Sequence, residues 1–239
     1  MPRIWQAAGD AKSAPLQISS LIDHLDSLAG AALGSRLDET AMLLARVAQD
    51  RDCIPSAVLG LSIDPKKMLV DNAHVFVLHQ TERYLIRLVV WRPTTGVEDE
   101  AFLYEGAHDH NFDLMTVGYT GCGYLTDLYS YQGNGQSLSE RETVSINRHG
   151  RFQLAPGTVL FLSAGCDIHA QHAPDEVSVS INIICYSKKT FPQHLFEIQS
   201  DSDLAVVTAV LASREVHNEQ DLMNSLEEAH RARSAHQPP

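Results

Sequence analysis

The feature that most limits the fold is a succession of short apolar segments, separated by turn residues, between about residues 71 and 190. Tyr84–Trp91 (YLIRLVVW) and Thr158–Leu162 (TVLFL) are rich in β-branched and aromatic residues, as strands are. Turn chemistry, such as Gly121-Cys122-Gly123, separates the segments. Many short strands with regular turns predict a mostly β domain, a sandwich or a barrel. Further strands are predicted at His74–His79, Ala101–Tyr104, Leu114–Tyr119, Tyr124–Tyr131, Glu142–Asn147, Arg151–Leu154 and Val177–Tyr186.

Residues 1–70 are predicted to form an N-terminal helical extension. The first 14 residues have no regular pattern, whereas apolar side chains then recur at spacings of three and four residues. These spacings predict a helix from Leu16 to Leu28, a second over Asp38–Ala48 and a third, short helix after Pro55. We expect these helices to pack on the outside of the β domain.

Residues 191–239 are predicted to return to helix. Apolar side chains in Asp201–Arg214 and His217–Arg231 favour two helices, and Ser234–Pro239 is expected to be a disordered tail. The chain thus divides into an N-terminal extension, a β domain over residues 71–190 and a C-terminal helical segment.

The charge and the cysteines limit the class of partner and the compartment. With 30 acidic and 18 basic residues, the formal net charge is -12, which disfavours nucleic acid and anionic membrane surfaces as partners. The 4 cysteines include no CxxC pair, which favours free thiols in a reducing cytosol. No stretch approaches the ~20 apolar residues of a membrane helix, and no secretory signal is recognisable at the start. We therefore expect a cytoplasmic protein.

Two histidines at strand spacing are candidate metal ligands. His108 and His110 lie two residues apart, so on a strand both imidazoles point to one face and can share one metal ion. Two surface histidines on a strand are common, and the pair by itself is weak evidence for a site. A third histidine, His169, follows the predicted strand Thr158–Leu162 and strengthens the case.

From about Ala73 to Ser187 the sequence resembles the cupin superfamily. The first cupin motif contains HxH, then an acidic residue and a glycine, and the second contains Gly, Pro-x-Gly and His. His108 and His110 match the HxH, and His169 stands one residue later than the histidine of the second motif. Glycines of the two motifs are matched by Gly121, Gly157 and Gly165, whereas Ser163 replaces the usual proline. The resemblance implies a single cupin (jelly-roll) β-barrel with N- and C-terminal α-helical additions.

The acidic residue of the cupin motif is missing. It would fall at Leu114 or Met115, and neither side chain can supply an oxygen ligand. A site of three neutral histidines leaves positions for substrate and dioxygen, which suits a ferrous ion. This ligand set resembles that of the thiol dioxygenases, which also read His-Asp-His. The resemblance implies one divalent metal ion per chain, Fe(II), bound by His108, His110 and His169.

The same resemblance suggests two further site residues. Thiol dioxygenases place a tyrosine at the end of the strand after the third histidine, which here is Tyr186. They hold the substrate carboxylate with an arginine on an early strand, and Arg87 can take that part. On the predicted strand, Arg87 shares a face with Leu85 and Val89, where an inward guanidinium needs an anionic partner. That partner is a substrate or one of the acidic side chains of the protein.

Three neighbours of the histidines remain open alternatives. His172 is three residues after His169, so alternation on a strand directs it away from the metal, although a loop would cancel this argument. The same reasoning makes Asp113 a turn residue or a hydrogen-bond partner rather than a ligand. Gln171 either donates a hydrogen bond to the site or faces water.

We therefore predict a metal-dependent, non-haem Fe(II) oxygenase acting with dioxygen on a small polar metabolite, such as a thiol or an amino-acid derivative. Two other classes fit the sequence. One is a cupin isomerase or lyase that uses its metal as a Lewis acid, and the other is a cupin that binds a small ligand without catalysis. By analogy with other cupins, a homodimer is expected.

Overall fold

The computed structural model describes residues 1–6, 15–28, 33, 36–50, 75–93, 104–133, 137–186 and 192–211. Two helices precede most of the strands, α1 (Ile18–Ser27) and α2 (Leu37–Val47). The strands are β1 (Arg3–Gln6), β2 (Val75–Gln80), β3 (Tyr84–Trp91), β4 (Ala107–Asp109), β5 (Phe112–Thr120), β6 (Leu125–Tyr131), β7 (Thr143–Gln153), β8 (Thr158–Leu162), β9 (Asp167–Gln171), β10 (Ser178–Tyr186), β11 (Gln193–Ile198) and β12 (Leu204–Leu211). In this part of the chain, no helix is long and apolar enough to span a membrane.

The strands form two antiparallel sheets. The first has the order β1-β8-β5-β10-β3-β2, and the second closes on itself as β11-β12-β7-β6-β9-β4. Alternation along each strand gives every sheet two faces. One face of the first sheet packs on α1 and α2, and its other face packs against the second sheet. A third apolar cluster lies on the remaining face of the closed sheet.

Two of the three apolar layers have a simple origin in the sequence. Leu21, Leu25 and Leu44 form one face of the helix pair and bury it on Ile181 and Ile183 of β10. The alternate residues of the same strands lie on the other face of the first sheet and point into the space between the two sheets. The largest of these side chains are Leu85, Trp91, Phe112, Leu114, Leu160, Leu162 and Ile184. The space between the sheets is the interior that the sequence assigned to the candidate ligands.

The predicted fold class is confirmed in its main terms. The chain is mostly β, with a jelly-roll barrel and two N-terminal helices at the predicted places. β3 and β8 have the predicted limits, whereas the segments predicted at 142–147 and 151–154 join into one strand, β7. Of the strand predicted at 101–104, only Tyr104 is described, and it lies in a turn. The helix predicted after Pro55 lies outside the described residues.

The helix predicted over Asp201–Arg214 is wrong for the described part of that range. Leu204–Leu211 forms β12, which pairs with β11 and β7. The segment reads LAVVTAVL, and a continuous apolar run satisfies the helical spacing and a buried strand equally well. Its β-branched residues favour the strand, and pairing with β7 on one side and β11 on the other stabilises it. The helix predicted at 217–231 and the tail from Ser234 lie outside the described residues.

Besides β12, four strands were not predicted. β1 lies in the first residues, which had no regular pattern, and it pairs with β8. β4 and β9 are short and polar, and β11 joins β4 to β12. Because β4 and β9 carry histidines at buried positions, their polar composition conceals them as strands. The sheet therefore includes residues on both sides of the range 71–190.

Candidate metal centre

The three candidate histidines come together between the two sheets. His108 lies on β4 and is directly opposite His169 on β9. His110 is the first residue after β4 and is separated from β5 by Asn111. The three side chains are buried, and one nitrogen from each lies within 4.8 Å of the others. The structure thus brings together the three histidines that the sequence proposed as ligands of one ion.

The ring nitrogens of the cluster are close to one another. Nε2 of His169 lies 2.9 Å from Nε2 of His110 and 3.1 Å from Nε2 of His108. The ring of His110 stacks on Phe112 with a centroid distance of 4.6 Å and stands at 88° to the ring of His108. Packing against Phe112 limits the rotation of His110, so its Nε2 stays directed at the other two.

The local chemistry keeps these imidazoles neutral. Nδ1 of His108 donates to the carbonyl of Gly106 at 2.9 Å, so Nε2 of the neutral ring carries a lone pair. Burial lowers the pKa of all three rings. The pKa values of His110 and His169 fall well below the ordinary value, chiefly through burial and additionally through the neighbouring histidines.

The arrangement fits a divalent metal ion. Two nitrogens that are each about 2.1 Å from an ion and about 90° apart lie about 3.0 Å from each other. The observed Nε2 separations of 2.9 and 3.1 Å agree with this value. A shared proton can bridge only two of these nitrogen atoms, whereas a metal cation can bind the lone pairs of all three. A cluster of buried imidazoles that could hold a metal ion is therefore present in the structure.

The two other predicted site residues lie on the same inner surface. Arg87 belongs to the inward face of β3 with Leu85 and Val89, as predicted. Its positive charge contributes to the low pKa of His110 and opposes the rise in the pKa of Tyr186 that burial causes. Tyr186 is paired in register with Phe112, on which His110 stacks. Arg87 and Tyr186 are thus neighbours of the cluster.

A polar row continues from Arg87 across the first sheet. Arg87, Asn182 and Thr116 are side by side on β3, β10 and β5, and the Thr116 hydroxyl donates to Asn182 Oδ1 at 2.6 Å. Burial raises the pKa of Tyr124 to about 12, although hydrogen bonding with Thr116 and Gln171 opposes this rise. Gln171 lies two residues after His169 on β9. Polar groups therefore line the interior from the histidines to Asn182.

The structure shows the surroundings of the three residues that the sequence left open, His172, Asp113 and Gln171. Nε2 of His172 contacts Asp127 Oδ2 at 2.9 Å, and His172 is not part of the histidine cluster. Asp113 accepts the backbone N–H of Ala164 at 3.0 Å and is likewise outside the cluster. Gln171 is buried near the hydroxyl of Tyr124 rather than facing water. The alternation argument was correct for His172 and Asp113.

Sequence reasoning missed a second polar group beside the histidines. Asp109, between His108 and His110, is fully buried and contacts Tyr131 and His194. His194 has no neighbour at ligand spacing, and Asp109 was noted only as the middle residue of His-Asp-His. The one available signal was that an acid between two inward residues of a short strand must point into another layer.

Comparison with known proteins identifies no family: neither a protein-family model nor a curated protein matches the chain. Among solved structures, it is similar to the DMSP lyase DddQ from Ruegeria pomeroyi DSS-3, with 13% identity and a TM-score of 0.31. That match covers 48% of this chain and 48% of the lyase, about half of its length.

Two further structures show similar values. A cupin domain from Bordetella pertussis Tohama I has 19% identity over 47% of this chain and 92% of its own, with a TM-score of 0.28. A salicylate 1,2-dioxygenase from Pseudaminobacter salicylatoxidans has 8% identity over 44% of this chain and 22% of its own, with a TM-score of 0.27. TM-scores this low carry no inference about activity. The resemblance to thiol dioxygenases stays a prediction.

Proposed function

We propose that this protein is a metal-dependent oxygenase that uses Fe(II), held by His108, His110 and His169, to oxidise a small polar metabolite with dioxygen. A thiol or an amino-acid derivative is the proposed substrate class. The observation that carries the proposal is the convergence of three buried, neutral imidazoles beside a half-buried arginine. When bound, the ferrous ion would supply the redox chemistry and a common binding point for substrate and dioxygen.

The neutral ligand set supports direct binding of an anionic substrate group to the ion. Three neutral imidazoles leave the charge of the ion uncompensated by its direct ligands, so an anionic substrate group, such as a thiolate, binds it favourably. Burial of the three rings between the sheets keeps bulk water away from this position.

Arg87 and Tyr186 would orient the substrate. Burial lowers the pKa of Arg87 to about 10, so its guanidinium remains charged at neutral pH and can bind a carboxylate. The pKa of Tyr186 is raised, chiefly by burial, so its phenol keeps its proton and can donate a hydrogen bond. Both groups lie on the inner surface that faces the histidines, which would fix the position of a small molecule relative to the metal.

The first test is the metal content of protein purified without a histidine tag, followed by oxygen uptake with a panel of thiols and amino acids. We expect about one iron per chain and oxygen uptake that requires one of these compounds. Another metal with no oxygen uptake would contradict the oxygenase and favour Lewis-acid chemistry. Binding of a small ligand that survives removal of the metal would instead indicate a non-catalytic protein.

Substitution of Arg87 should weaken substrate binding. In Arg87→Gln, the charge-assisted contact is lost, and hydrogen bonds to charged groups are worth about 1.5–3 kcal/mol. We expect KM for a carboxylate-bearing substrate to rise about 10- to 100-fold, with a smaller change in kcat. The matched control is Arg83→Gln, because Arg83 forms an exposed ion pair with Asp26. Equal KM values for the two variants would exclude Arg87 from the substrate site.

A further inference from the structure

The strand that carries the HxH histidines has a second polar residue on its other face. Asp109 is 0% exposed, and its side chain points into the apolar layer around Phe196, on the far side of the closed sheet from the histidine cluster. An isolated buried carboxylate is strongly disfavoured, so its partners must hold it in place. The hydrogen-bond partners of Asp109 are Tyr131 and His194.

Three donors converge on this carboxylate. The Tyr131 hydroxyl donates to Oδ2 at 2.6 Å, the backbone N–H of His194 donates to Oδ1 at 2.6 Å, and His194 Nδ1 is 2.9 Å from Oδ2. Burial and the Asp109 charge both raise the pKa of Tyr131, so its phenol stays protonated as a donor. Each of the three groups thus donates to an oxygen of Asp109, so both oxygens act as acceptors, as those of a carboxylate do.

The tautomer of His194 follows from its other contact. The backbone N–H of Leu138 donates to His194 Nε2 at 3.1 Å, so Nε2 carries a lone pair. His194 is therefore neutral, and its Nδ1–H donates to Asp109. Since Tyr131 is also neutral, this buried group, which we call the Asp109 cluster (Asp109, Tyr131, His194), keeps one uncompensated negative charge.

The negative charge of the Asp109 cluster lies next to the three histidines, which carry no negative charge. The direct ligands His108, His110 and His169 are neutral, whereas a bound divalent ion would bring two positive charges into the barrel. Asp109 is the chain neighbour of both HxH histidines and lies on the same short strand as His108. In a buried environment, charges separated by one strand interact with little screening.

We propose that the Asp109 cluster is the counter-charge and the anchor of the metal centre: Asp109 stabilises the bound cation through space and fixes β4 so that both HxH histidines face it. This inference rests on the proposed metal site and deepens it. Asp109 is a positioning residue, since its side chain lies on the opposite face of β4 from the ligands. It takes the place of the carboxylate that the first cupin motif would supply directly.

The test compares Asp109→Asn, which keeps the shape and removes the charge, with Asp127→Asn. Asp127 lies on β6, which is separated from β4 by β9, and its charge is offset by Arg151 at 2.8 Å. In titrations with Co(II), we expect Asp109→Asn to bind about 10- to 100-fold more weakly than the wild type, and Asp127→Asn to bind as the wild type does. Equal affinities of the two variants would overturn the inference.

The reduction potential of bound iron separates a charge effect from a merely structural one. Loss of a nearby negative charge destabilises Fe(III) more than Fe(II), so the potential of Asp109→Asn should rise. If the ferric affinity falls tenfold more than the ferrous affinity, the rise is about 59 mV. An unchanged potential in a folded, loaded variant would remove the counter-charge from the proposal.

A second variant keeps the inference testable if Asp109→Asn fails to fold. Tyr131→Phe removes one hydroxyl and keeps the ring and the Asp109 charge, so we expect a loss of Co(II) affinity of about threefold to tenfold. An unchanged affinity would count against the anchor role. Absence of Co(II) binding by the wild type would instead refute the proposed function itself, which distinguishes the two failures.

Discussion

Replacement of His169 by alanine is expected to abolish stoichiometric metal binding while the barrel remains folded. A four-ligand zinc site binds with about 10–16 kcal/mol, or about 3 kcal/mol per ligand, so loss of one histidine should weaken binding on the order of 100-fold or more. His169 Nε2 is the atom that approaches both other rings, at 2.9 and 3.1 Å. Metal content after dialysis and Co(II) titration measure the effect, and circular dichroism checks the fold.

His172→Ala is the matched control for this experiment. His172 lies three residues away on the same stretch of chain, but its ring contacts Asp127 rather than the cluster. We expect His172→Ala to retain the metal content and the Co(II) affinity of the wild type. If His169→Ala remains fully metallated, or if His172→Ala loses metal to the same extent, the assignment of the ligands is wrong.

The second large effect concerns the turn between β5 and β6. Gly123 has φ +77°, and a Cβ at this position would lie 2.1 Å from the carbonyl oxygen of Leu154. Gly123→Ala must therefore displace the backbone of Leu154, which is fully buried. The new alanine must also adopt a left-handed backbone conformation. We expect the free energy of unfolding to fall by about 3 kcal/mol or more, as measured by urea denaturation of the metal-free protein.

Gly150 provides a control that isolates the steric contribution. Its φ is +85°, similar to that of Gly123, but a Cβ there would meet no atom within 4 Å. Gly150→Ala should therefore show only the conformational cost, about 1–2 kcal/mol. Equal destabilisation by the two variants would mean that the backbone near Leu154 yields freely and that the close approach has no energetic weight.

Much of the fold was predictable because its elements have strong local signals. β3 and β8 were predicted with correct limits, since long runs of β-branched and aromatic residues are bounded by turn residues. α1 and α2 were predictable from apolar spacing. β12 was not, because its apolar run fits either period and only pairing with β7 and β11 selects the strand.

The residues of the candidate site likewise divide into those that the sequence predicted and those that only the structure revealed. The sequence by itself supplied the metal-ligand candidates, because HxH at strand spacing is a local pattern and the resemblance to the second cupin motif added His169. Pairing of β4 with β9 is what places His169 beside His108. Alternation favoured His172 pointing elsewhere, but only its contact with Asp127 in the structure decided this. Only the tertiary structure decided the surroundings: Asp109, Tyr131 and His194 come from three strands, and contacts across 22 and 85 residues of sequence leave no periodic trace. Local alternation fixes which face a side chain takes, whereas the partner it meets on that face depends on how distant strands pair.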